Sequence, residues 1–226
     1  MKKIAFIFFL FSFKVYSQSV SSYQISNENL IEQLLKANPE KFKKILDNPN
    51  EYQVQIIYTK IDRDKQNIPH FTQYSYHLDP KNYFYPASLV KLPLVALALE
   101  KINKLKTDSV KIFPKISSLS KETRMKFDSA YYCQSVVEKD STSENGFPSI
   151  AHYIKKMMLV SDNDAYTHLY EFLGQEYVNK TLWTKGYASV RIIHRFKVCD
   201  NMQNRYTNPI LFLSDKGDTI YRQCMQ

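Results

Sequence analysis

The sequence predicts an α+β fold in which helices pack on an antiparallel sheet. Residues 52–61 and 69–78 have the apolar pattern of strands, and a second strand pair is expected near 210–221. Helical patterns occur between them over 88–103 and again over 149–186. Strands and helices grouped in this way are typical of α+β domains. Apolar residues are 44% and charged residues 23% of the chain, which excludes a disordered tail and a polytopic membrane protein.

The first 17 residues have the pattern of a secretory signal peptide. Lys2 and Lys3 precede an apolar run over 4–13, and Val15 and Ser17 are small residues at a suitable cleavage point. The run is shorter than the roughly 20 residues that a membrane-spanning helix needs. We therefore expect residues 18–226 to form a secreted, periplasmic or cell-surface domain, with no stable membrane anchor after cleavage.

The elements of the first part follow from apolar spacing. Residues 27–47 repeat apolar side chains with a helical period. The strands 52–61 and 69–78 should form a hairpin through a loop at 62–67. Residues 88–103 are apolar on nearly every side, which indicates a buried central helix.

The second part is predicted as three helices followed by short strands. The helices are expected over 149–159, 162–173 and 175–186, and the last ends at Gly186. A short strand is expected over Val190 to Ile193, then a polar loop up to Asn208, and then the pair near 210–221.

Charge, glycine and cysteine usage exclude several functions. The net charge of +9 comes from dispersed basic residues, which are typical of solvated helix faces, so no nucleic-acid partner is expected. Only 4 glycines are present, and no glycine-rich phosphate loop or zinc-ligand spacing occurs, so no cofactor and no metal are expected. Cys133, Cys199 and Cys224 allow one disulfide and one free thiol, with the pairing left open.

The pair Ser88 and Lys91 forms an S-x-x-K motif at the start of the apolar helix. Residues three apart share a helix face, so we expect the two side-chain tips to come within or near hydrogen-bonding reach. A buried lysine has a lowered pKa, and its neutral amine can activate a neighbouring hydroxyl. The same motif at Ser118 and Lys121 lies in a polar stretch without such a helix.

A second motif, Ser161-Asp162-Asn163, follows 73 residues later and directly precedes a predicted helix. All three residue types are favoured helix caps, so an ordinary cap is one interpretation. The other is a functional site close to Ser88, in which Ser161 passes a proton and the Asn163 amide binds a substrate.

In order and context, the two motifs resemble those of the penicillin-recognising serine hydrolases, the class A β-lactamases and D-Ala-D-Ala peptidases. The resemblance covers about residues 27–221. It implies that the chain forms an acyl-enzyme with a β-lactam or a cell-wall peptide. We expect the protein to be a monomer. It implies Ser88 as the acylated nucleophile, Lys91 as its base or proton relay, Ser161 as a proton-passing hydroxyl and Asn163 as a substrate-binding amide. Asp162 would be structural, and the Ser88 N–H would supply half of an oxyanion hole.

Two departures from the family pattern affect the expected activity. The loop that carries a catalytic Glu in class A enzymes matches residues 191–208, whose one acidic residue is Asp200. The K-[ST]-G motif is absent, since Lys185-Gly186 and Lys216-Gly217 lack the hydroxyl residue. We therefore expect a C-terminally truncated member with an incomplete sheet that is at best a poor catalyst. The alternatives are a D-Ala-D-Ala peptidase, an inactive homologue that binds cell-wall peptides, and an unrelated exported binding domain.

Overall fold

A computed structural model describes residues 21–109 and 114–226, so the predicted signal peptide 1–17 lies outside the described residues. The described chain divides into two compact units, one ending at Tyr83 and the other formed by Phe84–Gln226. Both units are mixed α and β, in agreement with the predicted fold class. Within the described ranges, every helix is too short or too polar to cross a bilayer.

The first unit consists of a three-stranded sheet and two short helices. Its elements are β1 (Ser22–Ile25), α1 (Leu30–Lys36), α2 (Pro39–Asp47), β2 (Ile56–Arg63) and β3 (Pro69–Tyr76). The single helix predicted over 27–47 is wrong, because the chain breaks at Asn38 and α2 begins at Pro39. Proline disfavours helical geometry in the residue before it and is well tolerated in the first helical turn.

The predicted hairpin is present in this sheet. Strands β2 and β3 are antiparallel, with Ile56 opposite Tyr76 and Arg63 opposite Pro69. The Asp64 carboxylate accepts the backbone N–H groups of Gln66 (2.9 Å) and Ile68 (2.8 Å) and so fixes the turn. Strand β1 was not predicted. It pairs in parallel with β3, so the sheet is mixed rather than purely antiparallel.

The second unit packs helices against a second three-stranded sheet. Its elements are α3 (Lys91–Ser109), β4 (Arg124–Phe127), α4 (Ile150–Val160), α5 (Asn163–Leu173), α6 (Gln175–Thr184), β5 (Ile210–Leu213) and β6 (Thr219–Gln223). Short 3₁₀ turns occur at Ala87–Val90, Pro114–Ser118 and Gln203–Arg205. The sheet is antiparallel in the order β4-β5-β6, and it includes the strand pair predicted near 210–221.

The core of this unit forms between α3, α4, α5 and the sheet. From α3, Leu94, Leu97 and Ile102 are buried at helical spacing. The buried helix predicted over 88–103 differs at its start, because residues 87–90 form a 3₁₀ turn in which Leu89 is 69% exposed, and Leu92 in the first turn of α3 is 62% exposed. The helix therefore has a buried stripe, and the 3₁₀ turn Ala87–Val90 that precedes it, which contains Ser88, is largely exposed.

Residues 190–193 do not form the predicted strand. The side-chain amide of Asn179 donates to the Ile192 carbonyl (2.7 Å) and accepts the Ile192 N–H (2.9 Å). These two bonds occupy the backbone groups that a strand would share with a neighbour. A disulfide joins Cys133 to Cys199, and Cys224 is an exposed free thiol.

Candidate active site

Ser88 lies in the 3₁₀ turn Ala87–Val90, immediately before α3, and is exposed. The preceding residue, Ala87, has a φ of 46°, a left-handed conformation that costs of the order of 1–3 kcal/mol in a residue other than glycine. Lys91 is the first residue of α3, and its backbone N–H donates to the Ser88 carbonyl. The turn therefore presents the Ser88 hydroxyl at the surface, while the Lys91 side chain is buried.

The Ser161-Asp162-Asn163 motif connects α4 to α5. Ser161 ends α4 in a left-handed conformation, with a φ of 54°. Asp162 caps α5, since its carboxylate accepts the Ala165 N–H at 2.8 Å. The helix cap is thus Asp162 alone, which leaves the side chains of Ser161 and Asn163 available for other contacts.

Those two side chains both contact Lys91. The Lys91 Nζ donates to the Ser161 Oγ (2.9 Å), to the Ser161 carbonyl (2.5 Å) and to the Asn163 Oδ1 (2.8 Å). The Ser161 Oγ in turn donates to the Ser88 Oγ at 3.2 Å. The structure therefore brings together all four predicted site residues, Ser88, Lys91, Ser161 and Asn163.

Ser88 and Lys91, whose side-chain tips were expected within or near hydrogen-bonding reach, are connected through Ser161. Although Ser88 and Lys91 are three apart in sequence, the Lys91 ammonium donates its three hydrogen bonds to Ser161 and Asn163. The Ser161 hydroxyl lies between the Ser88 hydroxyl and the Lys91 amine. The sequence spacing could not show this, because the bridging residue comes from a different helix.

Burial sets the electrostatics of Lys91. Its side chain is almost fully buried, and the residue is 3% exposed. Loss of solvation lowers the pKa of Lys91 below its ordinary value, and the nearby Asp162 carboxylate opposes this as a smaller effect. A lowered pKa makes the neutral amine, which can accept a proton, more accessible near neutral pH.

Sequence reasoning missed Phe196, whose ring centroid lies 5.5 Å from the Lys91 Nζ. The ring also stacks on Tyr166 of α5, with centroids 4.2 Å apart and planes 19° apart. An isolated Phe in the polar stretch 191–208, which also contains Tyr206, carries no pattern that distinguishes it from an ordinary loop residue. That stretch does reach the site, but it brings an aromatic ring and not a carboxylate.

The acidic residue of the same stretch has another role. Asp200 accepts the Gln203 N–H at 2.7 Å and so shapes the turn at Gln203–Arg205. Lys197, which follows Phe196, forms an ion pair of 2.7 Å with Asp164 of α5. The residue after Phe196 is thus a lysine paired with Asp164, and the Asp200 carboxylate of the same loop is hydrogen-bonded within the loop.

The second S-x-x-K motif forms no comparable arrangement. The Ser118 hydroxyl donates to the Lys115 carbonyl at 2.8 Å. Lys121 is exposed and pairs with Glu122 at 2.7 Å. This second motif therefore serves as an internal control for the first. In the described part of the chain, no cluster of three His, Cys, Asp or Glu residues is arranged to hold a metal ion.

The four clustered residues Ser88, Lys91, Ser161 and Asn163 come from the two motifs that resemble those of the β-lactamase-like serine hydrolases. A sequence model of the Beta-lactamase enzyme family matches residues 39–214, more than three quarters of the chain. The chain therefore belongs to this family. Searches of curated proteins and of solved structures found no match.

Proposed function

We propose that the chain is an exported serine hydrolase that opens a β-lactam or a peptidoglycan-like amide through an acyl-enzyme on Ser88. The observation that carries the proposal is the continuous path from the Ser88 Oγ through the Ser161 Oγ (3.2 Å) to the Lys91 Nζ (2.9 Å). Membership of the Beta-lactamase enzyme family supports a β-lactamase-like hydrolase in general.

The path suggests how the nucleophile is generated. When Lys91 is neutral, the Ser161 hydroxyl donates to its Nζ and accepts the proton of Ser88. The Ser88 Oγ then attacks the substrate carbonyl carbon, and in this proposal the N–H of Ser88 donates to the resulting oxyanion. Collapse of the tetrahedral intermediate breaks the C–N bond, and the proton returns from Lys91 through Ser161 to the leaving nitrogen.

Asn163 is suited to hold the substrate. Its Oδ1 accepts from the Lys91 ammonium, which fixes the orientation of the amide. The Nδ2 group has no hydrogen-bond partner among the described residues, and the residue is exposed. The Nδ2 group is therefore available to donate to a carbonyl oxygen of a bound amide.

The second candidate is a D-Ala-D-Ala peptidase-like enzyme, and the lack of a free carboxylate in the loop 191–208 favours it. Hydrolysis of a β-lactam acyl-enzyme needs an activated water, and a carboxylate is the usual base for it in class A enzymes. Here the loop residue next to Phe196 is Lys197, and Asp200 is bound to Gln203. We therefore propose that a penicillin acylates Ser88 faster than the product is released.

A fluorescent penicillin tests both candidates. We expect the purified protein to be labelled and to lose the label slowly; fast loss would favour a lactamase instead. Ser88→Ala should abolish labelling, whereas Ser118→Ala, in the second S-x-x-K motif, should leave it unchanged. A folded protein that takes no label would point to the non-catalytic alternative, a homologue that binds cell-wall peptides.

A further inference from the structure

The contact between Phe196 and Lys91 has a consequence for the proton path. Lys91 is held on one side by three oxygen acceptors from Ser161 and Asn163. The Phe196 ring lies near the same amine, with its centroid 5.5 Å from the Nζ. Water that reached the amine through this position would solvate the ammonium and compete with the Ser161 hydroxyl.

The residues on both sides of Phe196 are fixed to α5. The Arg195 guanidinium forms a buried ion pair with Glu171 and also donates to the carbonyls of Gln203 and Tyr206. The Lys197 N–H donates to the Thr167 hydroxyl at 3.2 Å. Since Phe196 itself stacks on Tyr166, three consecutive loop residues are held by one helix. The ring therefore has a defined position over Lys91.

We propose that Phe196 is a positioning residue of the Ser88 site, whose ring excludes water from the Lys91 amine and keeps the amine against Ser161. The proposal rests on the proposed function, in which Lys91 receives the proton of Ser88. In this proposal the loop 191–208 contributes an apolar ring, whereas the corresponding loop of class A enzymes contributes a carboxylate.

Two effects of the ring oppose each other, and the geometry indicates which is larger. An aromatic face attracts a cation and would favour the charged amine. At 5.5 Å the contact is close to the outer limit of about 6 Å for such an interaction, so this attraction is weak. Exclusion of water disfavours the charged amine, and burial is the main cause of the lowered pKa of Lys91. Removing the ring should therefore raise that pKa.

The other charged groups near Lys91 are already paired. Asp162 lies beside Lys156 at 3.7 Å, and Asp164 pairs with Lys197 at 2.7 Å. The Tyr166 hydroxyl donates to the His194 carbonyl, and burial raises the pKa of Tyr166 well above its ordinary value. These contacts do not involve the Phe196 ring, apart from its stacking on Tyr166, so a change in the titration of Lys91 after substitution of Phe196 reports on the ring.

The test compares Phe196→Ala with Phe196→Leu, which keeps an apolar cover, and with Tyr187→Ala as an exposed aromatic control. The Lys91 pKa is measured by NMR of the protein with ¹³C-labelled lysine side chains, using Lys91→Arg to assign the signal. We expect an upward shift in Phe196→Ala, a smaller one in Phe196→Leu and none in Tyr187→Ala. The pH profile of Ser88 acylation should move to higher pH, with acylation at pH 7 slowed by about tenfold to a hundredfold in Phe196→Ala.

Folding is checked by near-UV circular dichroism and by the intact disulfide. An unchanged Lys91 pKa in folded Phe196→Ala would overturn the proposal, and so would an equal shift in the alanine and leucine variants. If the unsubstituted protein is not acylated at all, the proposed function fails, while the NMR titration still decides whether Phe196 controls Lys91.

Discussion

Ser88 and Ser161 are 73 residues apart in the chain, yet their hydroxyl oxygens lie 3.2 Å apart. Ser161 also accepts a hydrogen bond from Lys91, so one hydroxyl connects the proposed nucleophile to its proposed base. Its backbone is left-handed at the end of α4, with a φ of 54°. A substitution that removes the hydroxyl and preserves this backbone would therefore isolate the role of the bridge.

Ser161→Gly is that substitution, because glycine adopts a positive φ without strain. We expect acylation of Ser88 to slow by about a hundredfold or more, since a positioned proton-transfer group contributes roughly 10²–10⁴ to a rate. The rate is measured by stopped-flow mixing with a fluorescent penicillin. Ser149→Gly removes the cap of α4 and serves as a control for helix stability. Acylation at the unsubstituted rate in Ser161→Gly would show that the bridge is not used.

The buried residue Lys101 should make the free energy of unfolding depend on pH in the alkaline range. Burial lowers its pKa to about 8, and its ammonium bonds the Phe172 and Leu173 carbonyls and Gln223. Between about pH 8 and the ordinary lysine value, the unfolded chain holds a proton that the folded chain has released. The free energy of unfolding should therefore rise with pH across this window, with a slope of up to about 1.4 kcal/mol per unit.

Urea unfolding between pH 7.5 and 10.5 measures this effect as a difference between the protein and Lys101→Met. The variant should be less stable because its carbonyl partners lose a donor, and the difference should widen as pH rises. Lys104→Met, an exposed position on the same helix, should show neither change. A constant difference at all pH values would contradict the assigned pKa.

The buried ion pair of Arg195 and Glu171 should stabilise the folded protein, because it holds the loop that carries Phe196 against α5. Glu171→Gln removes the charge that balances a guanidinium whose side chain is fully buried. Removing one partner of such a pair costs about 3–5 kcal/mol. We expect a loss of this size in urea unfolding, and a smaller loss when Arg195→Met is combined with Glu171→Met. If the loss in this double variant equals the sum of the losses in Arg195→Met and Glu171→Met measured separately, the two residues are not coupled.

The Cys133–Cys199 disulfide anchors the same loop at a sequence separation of 66. Closing a loop of this size stabilises a protein by about 2–4 kcal/mol. Cys133→Ser with Cys199→Ser should lower the free energy of unfolding by that amount, whereas Cys224→Ser should leave it nearly unchanged. Thiol titration of the denatured, unreduced protein should give one free thiol. Three free thiols would show that the bond does not form.

The sequence predicted the longer helices and the hairpin because their apolar spacing is strong and local. Strands β1 and β4 have only four residues each and contain no apolar run, and β1 is exposed throughout. Strand β5 is equally short but was predictable, because all four of its residues are apolar. At the site, the residue types and their order were predictable from the two motifs. The Ser161 bridge and the Phe196 ring were not, because both depend on how separate segments pack around Lys91.

The most direct test of the account is to locate the acyl group after reaction with a penicillin. Peptide mapping by mass spectrometry of the folded protein should find one added penicillin, attached to Ser88. The adduct should be absent in Ser88→Ala and form far more slowly in Ser161→Gly and Lys91→Met. An adduct on another residue, or no adduct at saturating penicillin in a folded protein, would contradict the account.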